Sequence, residues 1–214
     1  MLQQLVKYKF EISLLLLVIF YGVGLTGMLV SDNPQQFAQL SWLNLIISAV
    51  VLFANHENWK TITVLGIAAV AILGFFIEVL GVKTGEIFGV YSYGNSLGVK
   101  VLDVPLVIGL NWAMLCYFSV YTFSRWFKKW YVVPFFAAVS LVLLDFIIEP
   151  VAVKLDFWSW SNPEIPIQNY VAWFVLAAVF NKVIMLTKAE GDNKVAIYLF
   201  IIQMIFFTTL RIAI

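Results

Sequence analysis

Three carboxylates stand inside otherwise apolar stretches of this sequence, where an ionisable group is costly and is a functional candidate by default. Glu78 lies in FFIEVLGV, and Asp145 and Glu149 lie in LLDFIIEP. The four-residue spacing of the latter pair puts both on one face of a helix, and Pro150, next in line, is expected to disrupt that helix just beyond them. A carboxyl withdrawn from water keeps its proton more readily, because desolvation disfavours the charge, and a second carboxyl close by adds to this. Such a group is a general acid near neutrality, and an ionised neighbour is a general base. Groups able to hold and orient a substrate are Tyr91 and Tyr93 in GVYSYGN, Asn111 and Trp112 in GLNWAML, Trp158 and Trp160 in FWSWS, and Asn169 and Trp173 in NYVAW. The plainer alternative is that Glu78 snorkels to an interface, Asp145 bonds a neighbouring helix, and the aromatics form an interfacial belt.

The elements that must position these residues follow from composition. Of 214 residues, 63% are hydrophobic and only 12% are charged, with a mean hydropathy of +0.95. A soluble domain carries roughly a quarter charged residues, so this chain lacks the polar surface to coat a globule in water, and a lipid bilayer must be its solvent. Apolar segments fall at 11–30, 38–55, 61–82, 103–123, 131–153, 166–187 and 194–213. Each approaches the length of about 20 residues that a spanning helix needs. Alternating segments of about 10 residues, the mark of a β-barrel, are absent. The expectation is an all-α, polytopic transmembrane bundle of about seven spans forming one domain over residues 1–214. The first run follows Lys7 and Lys9 as a signal peptide would, but it is too long for one and lacks a small-residue cleavage site, so it reads as a retained span.

Basic residues set the orientation. With the N-terminus inside, Lys7, Lys9, Lys60, Arg125, Lys128, Lys129, Lys182, Lys188 and Lys194 fall on the inner side. Lys83, Lys100, Lys154 and Arg211 fall on the outer side, so nine stand against four. The reading is an integral protein of the cytoplasmic membrane with its N-terminus inside. The third and fifth spans then run outward and the fourth and sixth inward. Glu78, Asp145, Glu149, Asn111 (about 12 Å into its span) and Asn169 all collect in the outer half. Two patterned connections emerge on that same face, GVKTGEIFGVYSYGNSLGVK and KLDFWSWSNPEIP, and these Gly- and aromatic-rich loops are expected to fold over the site. Glu78 and Asp145 are expected to approach each other as an acid/base pair, with Glu149 nearer the surface as a gate or supporting group.

Other chemistries find little support. A net charge of +1 gives no reason to invoke nucleic acid. Cys116 is the one cysteine, so neither an intramolecular disulfide nor a cysteine metal site is available. His56 in NHEN is the one histidine and reads as a loop residue. Gly81, Gly85 and Gly89 recur every fourth residue but lack the Lys-Ser/Thr element of a phosphate loop, and close approach of a helix or ligand explains them better.

The stretch EVLGVKTGEIFGVYSYGNSLGVKVLDVPLVIGLNW, with the later LLDFIIEPVA, FWSW and NYVAWF, resembles the integral-membrane carotenoid biosynthesis family. That family includes carotenoid 1,2-hydratases and bisanhydrobacterioruberin hydratases. The likeness covers about residues 74–177. By position it points to Glu78, Gly81, Gly85, Phe88, Gly89, Tyr91, Tyr93, Pro105, Asn111, Trp112, Asp145, Pro150, Trp158, Trp160, Asn169 and Trp173. The segment NPEIP departs from the shorter aromatic and Gly-rich turn expected there. The resemblance implies a carotenoid hydratase, a hydro-lyase that adds water to the terminal C=C of an acyclic end of the γ-carotene, lycopene or bacterioruberin-precursor type. Its partners would be a membrane-embedded carotenoid and the lipid bilayer. Such a reaction calls for no metal, flavin or nucleotide, and no motif for one is present.

Two isoprenoid alternatives fail on residues. An intramembrane prenyltransferase needs Asp-rich motifs for magnesium diphosphate, and a retinal protein needs a lysine within its last span, where only Lys194, at its very start, is available. The remaining alternative is a membrane carotenoid- or lipid-binding or small-solute transport protein, in which the same carboxylates are structural or proton-coupling.

Overall fold

The computed structural model describes residues 8–187 and 193–214. Lys7 and Lys188, counted above for orientation, lie outside the described residues. The helices are α1 (Lys9–Val30), α2 (Pro34–Ala38), α3 (Ser41–Ala54), α4 (Thr61–Thr84), α5 (Val107–Ser124), α6 (Val132–Lys154), α7 (Ile167–Leu186) and α8 (Lys194–Ala213). The short α2 and α3 together make one apolar length, and seven such lengths can cross a membrane. The protein is an all-α, integral membrane bundle.

The centre of the bundle is α5, with 72% of its residues buried against no more than half in any other span. A helix enclosed by protein has no need of a wholly apolar surface, which is why Asn111, Trp112, Tyr117, Ser119 and Tyr121 can sit on it. Around it α4, α6, α7 and α8 pack closely, and α1 packs on α8. Lipid-facing surfaces elsewhere carry exposed Leu, Val, Ile and Phe, as hydrocarbon solvent demands.

The loops add what the apolar pattern did not predict. β1 (Tyr91–Tyr93) pairs antiparallel with β4 (Trp158–Trp160), with Tyr91 opposite Trp160 and Tyr93 opposite Trp158. A hairpin joins β2 (Lys100–Val101) to β3 (Val104–Pro105) through Leu102 and Asp103, whose φ of 53° and 69° match the tight turn that suits strand twist. This hairpin delays the fourth span to Val107, so Asn111 lies about 6 Å into α5, not the 12 Å expected. α4 stops at Gly85, which takes φ +69° and returns its N–H to the carbonyl of Gly81 at 2.9 Å. Beneath the loops, the side-chain amide of Gln35 donates to Ser96 Oγ at 2.9 Å and to the carbonyl of Leu155 at 3.2 Å, tying α2 to both connections.

One expectation about a helix is overturned. α6 does not break after Glu149 but continues through Pro150 to Lys154. A proline in a helix leaves the carbonyl four residues earlier without its amide partner, here that of Phe146. The Arg211 guanidinium on α8 donates to that carbonyl and lies over the Phe146 ring at 4.4 Å. The partner that the backbone cannot supply comes from the neighbouring helix.

Candidate active site

Strand geometry aims the aromatic groups. Alternate side chains of a strand face the same way, so the segments Tyr-Ser-Tyr and Trp-Ser-Trp each present two aromatics on one face and a serine on the other. The serines, Ser92 and Ser159, sit opposite each other on the exposed face, 3.4 Å apart at Oγ. The aromatics all turn inward onto carboxylates.

Glu78, on the last part of α4, receives three donors. Tyr91 Oη and Tyr93 Oη donate to its Oε2 at 2.5 and 2.8 Å, and Trp112 Nε1 from α5 donates to Oε1 at 2.9 Å. Glu149 on α6 is its counterpart. Trp158 Nε1 and Trp160 Nε1 donate to its Oε2 at 3.0 and 2.8 Å, and Asn169 Nδ2 reaches its Oε1 at 3.2 Å. The same Asn169 amide donates to Asp145 Oδ2 at 3.0 Å, so one nitrogen at the start of α7 bridges two carboxylates a helical turn apart. Trp173, one turn further along α7, stacks on Trp112 with centroids 4.3 Å apart.

Buried polar groups in a bundle must be partnered, and here the carboxylates of α4 and α6 take their donors from α5, α7 and the ribbon of β1 and β4. Burial also pushes the phenols of Tyr91 and Tyr93 well above their usual range, helped by the Glu78 carboxylate beside them. Both remain protonated donors across all ordinary pH.

The structure brings together all eleven candidate catalytic and substrate-binding residues. Glu78, Asp145, Glu149, Tyr91, Tyr93, Asn111, Trp112, Trp158, Trp160, Asn169 and Trp173 all line one cavity of about 250 Å³. Asn111 lines it without bonding any of the three carboxylates. Two placements differ from expectation. Glu78 and Asp145 face the same cavity but make no hydrogen bond to each other; Asp145 is linked to Glu149 instead. Glu149 is nearer the end of α6 than Asp145, as expected, but it is not open to solvent: only 1% of it is exposed, against 4% of Glu78 and 3% of Asp145, because the two tryptophans cap it.

His56 lies in a loop, as expected, but it is not an exposed loop residue. It is buried, its Nδ1 lies 2.7 Å from Tyr117 Oη and 3.1 Å from Tyr121 Oη, and it sits at the opposite end of α5 from the carboxylates. The cavity extends past the carboxylates to α1, α3 and α8, where Tyr21, Asn44 and Gln203 also line it. Sequence reasoning missed these three because it gathered polar groups only from the third to the sixth spans, around the carboxylates, and passed over those in the first, second and last. A glutamine and a tyrosine at mid-span are themselves a signal in a hydrocarbon solvent.

Comparison with known proteins adds two likenesses. The model of a family described as carotenoid biosynthesis protein matches residues 37–214. The bisanhydrobacterioruberin hydratase of Haloarcula japonica is 29% identical over 123 residues, which cover 54% of this chain and 42% of that relative. The chain thus spans less than half the length of the curated relative it matches. No solved structure matches it.

Proposed function

The chain belongs to the carotenoid biosynthesis protein family, and from that premise we propose that it is a membrane hydratase. It adds water across the terminal double bond of an acyclic polyene end of the γ-carotene, lycopene or bacterioruberin-precursor type. The observation that carries this reading is the arrangement of three buried carboxylates, held by aromatic and amide donors, on a cavity whose remaining wall is mostly apolar. The similar protein from Haloarcula japonica is named for a hydratase activity.

The chemistry suits these groups. A carboxylic acid transfers its proton to the less substituted carbon of the alkene, and the π pair becomes the new C–H bond. The tertiary cation left on the neighbouring carbon is captured by water, and a carboxylate takes the excess proton, which balances the addition of one water. Asp145 is the proposed acid. Among the described residues only its Oδ2 is engaged by a donor, which leaves Oδ1 to meet a substrate. Glu149, one turn away and joined to Asp145 through Asn169, receives the proton from water and resupplies the acid. Glu78 supplies negative charge across the cavity. Ring faces such as those of Trp112 and Trp173 stabilise the cation by about 0.5–2 kcal/mol each. Expression in a cell that makes lycopene or γ-carotene, followed by mass analysis of the pigment, tests the reading. A product heavier by one water is expected, whereas pigment bound but unchanged in mass would point to a binding protein.

We further place the N-terminus on the cytoplasmic side of the cytoplasmic membrane, from the nine-to-four distribution of basic residues. The ribbon and the carboxylates then lie in the outer half. A reporter fused to the C-terminus should be exported, and one fused after Lys129 should stay inside. The reverse pattern overturns this placement.

A further inference from the structure

The cavity that holds the carboxylates is enclosed by protein on most sides and open on one. Among the described residues that line it, the only exposed ones are Phe20 and Val23 on α1, Leu40 just before α3, and Leu43 in the first turn of α3. Those contributed by α4 to α8 and by the long loops are buried or half-buried. The opening is therefore a slot between α1 and α3. Phe20 and Val23 lie ten and seven residues before the end of α1, about 15 and 10 Å from the ribbon end of the bundle, and α3 begins at that same end. The hydrocarbon of a bilayer is about 30 Å thick, so the slot reaches to about mid-membrane and faces acyl chains.

α1 is thinnest along this slot. Gly24 lines the cavity, and a Cβ there would meet only the Phe206 ring, at 3.7 Å. A glycine in a membrane helix is explained by close packing when a neighbour occupies the space it leaves, as the Phe37 ring does at Gly27. At Gly24 that space stays part of the cavity, although alanine would be the better helix former.

Volume argues the same way. Sites that enclose a drug-sized ligand measure about 300–1,000 Å³. A carotenoid is larger than such a ligand, and the cavity measures about 250 Å³. Only the reacting end of the polyene fits inside. The remainder must leave by an opening that keeps it out of water, and the slot is that opening.

We propose that the slot between α1 and α3 is a lateral portal and tail-binding groove. The polyene enters end-first from the bilayer past Phe20, Val23, Gly24 and Leu43, and while its end reacts the rest lies in the slot and in the lipid beyond. The inference rests on the carotenoid reading of the cavity and deepens it by fixing the path of the substrate.

Two measurements on the purified protein in detergent test it. The first compares hydration of an acyclic polyene by the wild type, Gly24→Leu, Leu43→Trp and Val175→Trp, the last a control on the exposed face of α7 away from the cavity. Each slot variant should lower kcat/KM by about tenfold or more, the scale of an overpacked contact. Because tail binding is the same in the ground and transition states, the loss should fall on KM and leave kcat little changed. Val175→Trp should match the wild type. Slot variants that keep wild-type kinetics, or a control that loses as much, overturn the portal. The second measurement does not depend on turnover. Val23→Cys and Val175→Cys are each labelled with a photoactivatable benzophenone, for which buried Cys116 does not compete. With polyene bound, illumination should attach pigment at position 23 and not at 175. Equal attachment at both, or attachment of a second copy of the chain at position 23 in place of pigment, overturns the proposal. If the wild type leaves the polyene unhydrated yet pigment attaches at position 23, the hydratase reading fails and the portal stands.

Discussion

Tyr91 lies directly opposite Trp160 in the two-stranded ribbon, their rings 5.3 Å apart, yet the two donate to different carboxylates, Tyr91 to Glu78 and Trp160 to Glu149. The cross-strand partners Tyr93 and Trp158 repeat the division. The ribbon is thus a single plate of four donors laid over two acids from separate helices. Its backbone pairing fixes the two acids relative to one another, which neither loop achieves alone.

Gly89 tests whether the plate matters. It takes φ +107°, and a Cβ there would stand 2.6 Å from Pro166 Cγ and 3.3 Å from Trp160 Cζ3. Valine is strained in that conformation and would push the start of β1 off the site. Gly89→Val should lower turnover by about 10²-fold, the scale of a misplacement near 1 Å, while the protein still inserts in the membrane. Pigment conversion and the amount of protein in the membrane fraction measure the two effects. Undiminished turnover would make the loop a mere connector.

Arg211 and Pro150 are linked through the Phe146 carbonyl. Arg211→Met should destabilise the protein by about 1 kcal/mol, the net value of one hydrogen bond. In a Pro150→Ala background the helix regains its own amide for that carbonyl, and the same arginine change should then cost little. Thermal unfolding of the four proteins in detergent gives the coupling. Equal costs in both backgrounds would show that Arg211 serves only its cation–π contact.

Much of the fold was legible because hydrocarbon is an unforgiving solvent. A continuous apolar run near 20 residues has few other readings, and seven spans were visible with ends within a few residues. The carboxylates of the candidate site stood out for the same reason, since Glu78, Asp145 and Glu149 are conspicuous where charge is costly. The ribbon was harder to see. Tyr-Ser-Tyr and Trp-Ser-Trp each carry a period of two, but three residues are too short a run to stand out, and their pairing joins positions about 70 apart. Pro150 misled because the rule that proline ends a helix assumes that no other donor reaches the freed carbonyl; Arg211 does.

His56 should confer a pH dependence on stability that is independent of turnover. Burial lowers its pKa below the ordinary 6.5, against an opposing pull from Glu57. The unfolded chain therefore takes up a proton at a higher pH than the folded protein does. Stability is full above about pH 6.5 and falls as pH drops through the interval between the unfolded and folded values. The melting temperature in detergent should decline below pH 6.5 in the wild type, and His56→Gln should flatten that decline. An unchanged slope in the variant would move the effect to other groups.

The three carboxylates separate by what an amide does to their hydrogen bonds. Glu78 and Glu149 each accept on both oxygens. A glutamine in either place keeps one acceptor oxygen and turns the other into a donor facing a donor. Glu78→Gln and Glu149→Gln should therefore cost about 1–3 kcal/mol in stability, the penalty for an unsatisfied buried group, and any loss of rate will be mixed with that disturbance. Among the described residues Asp145 accepts a single bond, from Asn169 to Oδ2. An asparagine there can turn its carbonyl oxygen to the same donor and preserve the contact. What Asp145→Asn removes is the carboxylic proton, so hydration should fall by about 10²-fold or more, the usual contribution of general acid catalysis, with the melting temperature nearly unchanged. Product formation and thermal unfolding on the same preparation distinguish the cases. If Asp145→Asn hydrates the polyene at full rate, the proton comes from another group, and Glu149, which shares Asn169 with it, becomes the acid to examine.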